Sequence, residues 1–166
     1  MKYFVRKYVE TDKSKIIEFI QSILEEYSLK LDLNYTDCDL NNISKVYGDN
    51  KGIFLIAENN GAIIGTIGLK LIHNDFSQLC KFYVHKDFRK NGIGTDLLTR
   101  VIEFAEKNNY TSIGLEVSKK HQAAIKLYEN FGFVLVKTPS ACPRCDYIYV
   151  KKLEDSPNPS TATKPV

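Results

Sequence analysis

No apolar run in this 166-residue chain approaches the ~18 residues that a membrane-crossing helix needs. The first residues, Met1-Lys2-Tyr3-Phe4-Val5-Arg6-Lys7, lack the apolar core and cleavage site of a secretory signal. A cytoplasmic location without a membrane partner is therefore expected. Neither charge sign is in excess. The 23 basic and 20 acidic side chains leave a net charge of +3, too even to point to nucleic acid. Cysteine is scarce, and of the four present Cys38 and Cys80 stand far apart, so no disulfide framework is implied. Proline is scarce too: three of the five fall between Ser156 and Val166 among small polar residues. Residues 155–166 are therefore expected to be a disordered tail. Nothing repeats, and 1–154 is long enough for one domain with a core of its own.

What is present reads as alternating elements. Lys2 to Tyr8 alternates like a strand. Thr11 or Asp12 is placed to cap a helix with an apolar stripe of Ile16, Ile20, Ile23 and Tyr27, flanked by Ile17 and Leu24. Leu29 to Gly48 is polar and Asn-rich, with one short helix expected over Leu40 to Tyr47. Gly52 to Glu58 and Ala62 to Ile72 flank the turn signal Asn60-Gly61 and predict a hairpin. Gly65 and Gly68 mark a bulge or a close approach. Ser77 to His85 follows as a third strand. Ile93 to Lys107 predicts a helix with Ile93, Leu97, Leu98, Val101, Ile102 and Ala105 on one face. Thr111 to Val117 predicts a strand. Ser118 is placed to cap a helix carrying Ala124, Leu127, Tyr128 and Phe131, with Gly132 as a left-handed stop. Phe133 to Lys137 and Tyr147 to Leu153 are the last strands. An antiparallel meander running into strand–helix–strand units predicts an α+β domain with a mixed sheet and helices packed on its faces.

The loop Arg89-Lys90-Asn91-Gly92-Ile93-Gly94 lies between a strand and a helix. Its glycines let backbone N–H groups at the helix start approach a phosphate, and a basic cluster of Lys81, Lys86, Arg89 and Lys90 is expected beside it. Cys142-Pro143-Arg144-Cys145 resembles half of a zinc knuckle. Four ligands are needed and no second pair is suitably spaced, so a loop with surface thiols and no metal is expected.

Together, Phe82-Tyr83-Val84, the loop Arg89 to Gly94, and the run Ala124-Ile125-Lys126-Leu127-Tyr128-Glu129-Asn130-Phe131-Gly132-Phe133 resemble the GNAT superfamily of acyl-CoA N-acyltransferases. The likeness extends over Gly52 to Leu153. It implies a three-layer α+β sandwich (α/β-type) whose mixed, mostly antiparallel sheet has about six or seven strands, with helices on both faces. It implies acetyl-CoA as co-substrate and a primary amine, in a small molecule or a peptide, as acceptor, with a homodimer among the assemblies it allows. The coenzyme would lie on Phe82, Tyr83, Val84, Arg89, Lys90, Asn91, Gly92, Ile93, Gly94, Thr95 and His121. The Val84 N–H would polarise the thioester carbonyl, and Tyr128 would be the general acid. Two positions depart from the pattern. His121 stands where Asn is frequent. Gln78 stands where some members carry a glutamate base; Glu58, His73, Asp75, His85 and Glu116 are candidates by type, beside a water chain or an acceptor that arrives neutral. Two other readings stay open on these residues: a coenzyme-binding sensor, and an interaction domain that no longer binds coenzyme.

Overall fold

The computed structural model describes residues 2–48 and 51–153. The tail expected over 155–166 lies outside the described residues.

Seven strands form one sheet: β1 (Phe4–Lys7), β2 (Ile53–Asn59), β3 (Ala62–His73), β4 (Phe76–Val84), β5 (Ser112–Val117), β6 (Val134–Val136) and β7 (Tyr147–Lys152). Their order is β1-β2-β3-β4-β5-β7-β6. Every pairing is antiparallel except β4 with β5. Asn60 and Gly61, with φ of 49° and 81°, make the tight β2–β3 turn.

Three helices cover the two faces: α1 (Lys13–Glu25), α2 (Ile93–Lys107) and α3 (Gln122–Asn130). On one face Ile16, Ile20 and Ile23 of α1 meet Leu40, Ile43 and Tyr47, and both sets pack on Phe54 and Ile56 of β2. On the other, Leu97, Leu98 and Val101 of α2 and Tyr128 of α3 pack on Ile67, Leu79, Ile113 and Leu115. Strand alternation sends successive side chains to opposite faces. The domain is thus helix, sheet, helix in three layers, as the likeness implied. The segment before β2 holds a tight 3-10 turn, Cys38–Asn42, and a wider π-helical turn, Ser44–Gly48, in place of one short helix.

Both expected caps are corrected. Asp12 stands at the N-cap position of α1, but its side chain accepts no helix-end amide there. Its carboxylate instead accepts from the Arg6 guanidinium at 2.7 and 2.8 Å and from the Val9 amide at 3.0 Å. A bidentate charged partner outcompetes helix-end amides. Ser118 lies before the start of α3, which begins at Gln122. Its hydroxyl donates to Asp146 and accepts from the Lys120 amide.

Gly68 is a close approach of side chains: a Cβ there would stand 2.6 Å from the Tyr47 ring and 3.1 Å from Phe54. Tyr47 is 1% exposed and cannot yield easily. Gly68→Ala is expected to destabilise the fold by about 1–3 kcal/mol, the usual cost of overpacking, read as a lowered urea midpoint at unchanged slope.

Candidate active site

The site begins with a bulge. Gly68 pairs with Cys80 and Thr66 with Tyr83, so Ile67 faces two residues of β4. Lys81, one of them, has φ +50°, and its carbonyl accepts from the Thr66 hydroxyl at 2.8 Å. A bulge bends its strand and increases the local twist. Strand β4 pairs with β5 only over Phe76–Gln78 against Ser112–Gly114. Past Gln78 the two strands separate among the described residues, and a cleft of about 860 Å³ opens between them.

Beyond the bulge, Val84 faces Gly65 and the His85 amide donates to the Ile64 carbonyl at 2.9 Å. In an antiparallel ladder that pattern makes Val84 and Gly65 a non-hydrogen-bonded pair. The Val84 N–H and C=O therefore point away from β3, towards the gap. The carbonyl is taken by Arg89 Nε at 2.9 Å.

At one end of the cleft stand Arg89, Lys90, Gly92, Ile93, Gly94, Thr95 and His121; Phe82, Tyr83, Val84 and Tyr128 form its middle. Asn91 does not line it; its side-chain amide donates to the carbonyls of Phe88 and Arg89 and shapes the loop. Gly92 has φ +81° and a Cβ there would touch nothing within 4 Å, so conformation is what requires glycine. A Cβ on Gly94 would make only ordinary contact with Leu127 and Phe82 at 3.5 Å. The opening N–H groups of α2 have no partner within the helix, and they face this end with the positive pole of the helix. These residues fit a pyrophosphate.

Tyr128 is 5% exposed, tilted against Phe82 and Phe133 with ring centroids 5.9 and 5.7 Å away. Burial, then the neighbouring Tyr83, Cys145 and Cys80, holds its phenol well above the ordinary value, so it carries its proton at neutral pH. Burial, then Arg89 and Lys120, lowers the His121 value and keeps the imidazole neutral. Its ring meets Tyr27 edge-on at 4.4 Å.

The far end is walled by residues of the segment before β2 and of the loop before β7, among them Tyr35, Asp39, Cys142 and Arg144. Lys81 does not belong to the basic cluster at the loop: its side chain is 8% exposed and contacts Asp37 at 2.8 Å and Asp39 at 3.0 Å. Asp37, fully buried, also takes Arg144 at 2.9 Å. Tyr47 donates to the second oxygen of Asp39, whereas Oδ1 of Asp39 meets the charge of Lys81 outside hydrogen-bond geometry. Burial alone would lower the Lys81 value, but the charge of Asp39 and the hydrogen bond to Asp37 raise it. Cys142 and Cys145 are half-buried and line this end, which corrects the reading of surface thiols.

Of the five acids and bases proposed by type, Glu116 lines the cleft. Its Oε1 accepts from the Ser140 hydroxyl at 2.6 Å and the amides of Ala141 and Cys142 at 3.0 and 3.2 Å. Glu58 is held by Arg6, His73 stacks on Phe76, Asp75 sits in the turn before β4, and His85 caps the turn at Asp87. Gln78 lies in the cleft beside Lys70, its partner on β3.

The family model for the acetyltransferase (GNAT) family matches residues 17–133. An N-acetylaspartate synthetase of Danio rerio is 36% identical over 113 residues, covering 64% of this chain; the chain spans 40% of that relative's length. A GNAT-family acetyltransferase of Staphylococcus aureus Mu50 superposes with a TM-score of 0.86 at 33% identity, over 92% of this chain and 100% of that one. The PaiA N-acetyltransferase of Thermoplasma acidophilum, solved with coenzyme A, shares the fold with a TM-score of 0.72 at 22% identity, over 92% and 100% of the two chains.

Burial raises the Asp37 value, but the Asp32 amide, Lys81 and Arg144 outweigh it and hold the carboxyl below its usual range. A depressed carboxylate contributes stability above its unfolded pKa of ~3.9 and loses it as pH falls through the folded value. Asp37→Asn leaves Arg144 without a carboxylate and Lys81 with Asp39 alone, and is expected to cost about 3–5 kcal/mol. Its urea midpoint should also fall less than the native protein's between pH 5 and pH 3.

Proposed function

The chain belongs to the acetyltransferase (GNAT) family, and from that premise we propose that it moves an acetyl group from acetyl-CoA to a primary amine by direct attack. The observation that carries this reading is the Val84 N–H, aimed by the bulge into the gap between β4 and β5. There it can donate to a thioester carbonyl as the charge on that oxygen grows. Acetyl-CoA, when bound, supplies the activated carbonyl and a thiolate leaving group. The N–H groups at the start of α2, with Lys90 and the unused donors of Arg89, hold its phosphates. His121 can offer one further hydrogen bond.

Two proton transfers remain. An alkylammonium with a pKa of ~10.4 must lose a proton before it attacks. We assign that role to Glu116, which lines the cleft: Oε1 is occupied by the 140–142 loop, so Oε2 is the oxygen available to the proton. Tyr128, protonated and desolvated, delivers a proton to the departing thiolate. Gln78 beside them can orient the amine but cannot take its proton.

Tyr128→Phe is expected to lower kcat about a hundredfold while the thermal shift produced by coenzyme A stays as in the native protein; undiminished turnover would remove Tyr128 from the chemistry. Glu116→Gln keeps an oxygen for the loop amides and loses the base. Its acetylation rate should fall by a similar factor, and the acid limb of its kcat/KM profile should flatten. Thiol release from acetyl-CoA across a panel of amines tests the reaction itself. A thermal shift with coenzyme A and no release with any amine would identify a sensor instead.

A further inference from the structure

At the acceptor end of the cleft, charged groups divide by whether the fold already uses their hydrogen-bonding capacity. Asp37 accepts from the Asp32 amide at 2.9 Å, the Thr36 hydroxyl at 3.2 Å, Lys81 at 2.8 Å and Arg144 at 2.9 Å. Lys81 is enclosed by the Thr36 carbonyl, Asp37 and Asp39. Glu116 gives Oε1 to three donors. What stays unused is uneven. Arg144 directs two hydrogen bonds inward, to the Lys30 carbonyl and Asp37, and its side chain is 20% exposed. A guanidinium has five N–H donors, so three remain. Lys70 lines the same cleft and makes neither an ion pair nor a hydrogen bond among the described residues. Against these two cations stand Gln78, one oxygen of Glu116, and Oδ1 of Asp39, whose charge Lys81 already meets at 3.0 Å.

The placement is as specific as the count. Leu69 of β3 packs under α2 and α3, so by alternation Lys70 lies on the opposite face. Cys80, two along from Gln78 on β4, feels both Lys70 and Asp39. Arg144 is fixed across from them by its ion pair with the fully buried Asp37.

We infer that the acceptor is a small amine bearing a carboxylate, an amino acid or a close chemical relative, with its amine at Glu116 and its carboxylate read by Arg144 and Lys70. The inference rests on the acetyl-transfer reading above. A guanidinium whose plane is set by an ion pair matches the two oxygens of a carboxylate. An ammonium on a flexible stem adds charge with little demand on geometry. A polyamine would instead bring its second ammonium against two cations.

The test uses matched pairs, each an amino acid and the amine left when its carboxylate is removed: alanine and ethylamine, phenylalanine and phenethylamine, lysine and cadaverine. Thiol release from acetyl-CoA is followed with the full chain. Within at least one pair the carboxylated member should have a kcat/KM higher by about tenfold or more, the worth of one charge-assisted hydrogen bond. Lys70→Glu should invert that preference, and Arg144→Lys, which keeps the charge on Asp37 but loses the fork, should narrow it. Equal rates within every pair, or faster release with the decarboxylated members, overturn the inference and leave acetyl transfer standing. No release with any amine overturns both.

Discussion

One extra residue in β4 determines what the cleft can do. Counted from Cys80 without the bulge, Val84 would fall opposite Ile64, in a hydrogen-bonded position, with its N–H directed at β3. The inserted residue moves Val84 opposite Gly65 and reverses the direction of that N–H, because ladder positions alternate along a strand. The same insertion turns the strand away from β5 and makes the gap the N–H points into. Lys81 occupies the insertion with a left-handed backbone, a conformation that costs a non-glycine residue about 1 kcal/mol or more. Its ammonium finds Asp37 and Asp39 from there. Buried ion pairs are often no better for stability than apolar side chains of the same size. What this one contributes is register: it ties the bulge to the 29–48 segment, so the irregularity of the strand and the wall of the cleft stay aligned.

The parts of the molecule legible in the sequence are those built from neighbours in the chain. Helix α2 runs over Ile93–Lys107 with its six expected apolar residues buried, because a 3.6-residue period is a local pattern. The glycine loop, the Asn60-Gly61 turn and the Gly132 stop, with φ +82°, follow from single residue types whose backbone preferences do not depend on what surrounds them. The misread residues share a different cause. Asp12 was expected at a helix cap, Ser118 at another and Lys81 at the phosphate loop. Each is instead held by a partner outside that local frame: Arg6, Asp146 and Asp37. A charged or hydroxyl side chain has several local uses, and the tertiary partner chooses among them. The ion pairs that join the walls at the far end were illegible for the same reason. Lys81 and Arg144 converge on Asp37 from 44 and 107 positions away, and the polar segment around Asp37 has no periodicity to announce that it is buried.

The two ends of the cleft therefore answer to different constraints. The donor end is a strand, a loop and a helix start, consecutive in the chain, with His121 beside them, and the direction of its Val84 N–H depends on the bulge at Lys81. The acceptor end is two walls, 29–48 and 138–147, joined through the ion pair of Asp37 with Arg144. The second wall also hangs from Glu116, whose Oε1 carries Ser140, Ala141 and Cys142. Glu116 thus holds the 140–142 loop with one oxygen and, in the proposed reaction, takes the amine's proton with the other. In that reading a substitution in 138–147 that reshapes the pocket for another acceptor would pull on the carboxylate proposed to take the acceptor's proton. Choice of acceptor and rate of transfer are then coupled through one side chain on β5, the strand that borders the gap the Val84 N–H points into.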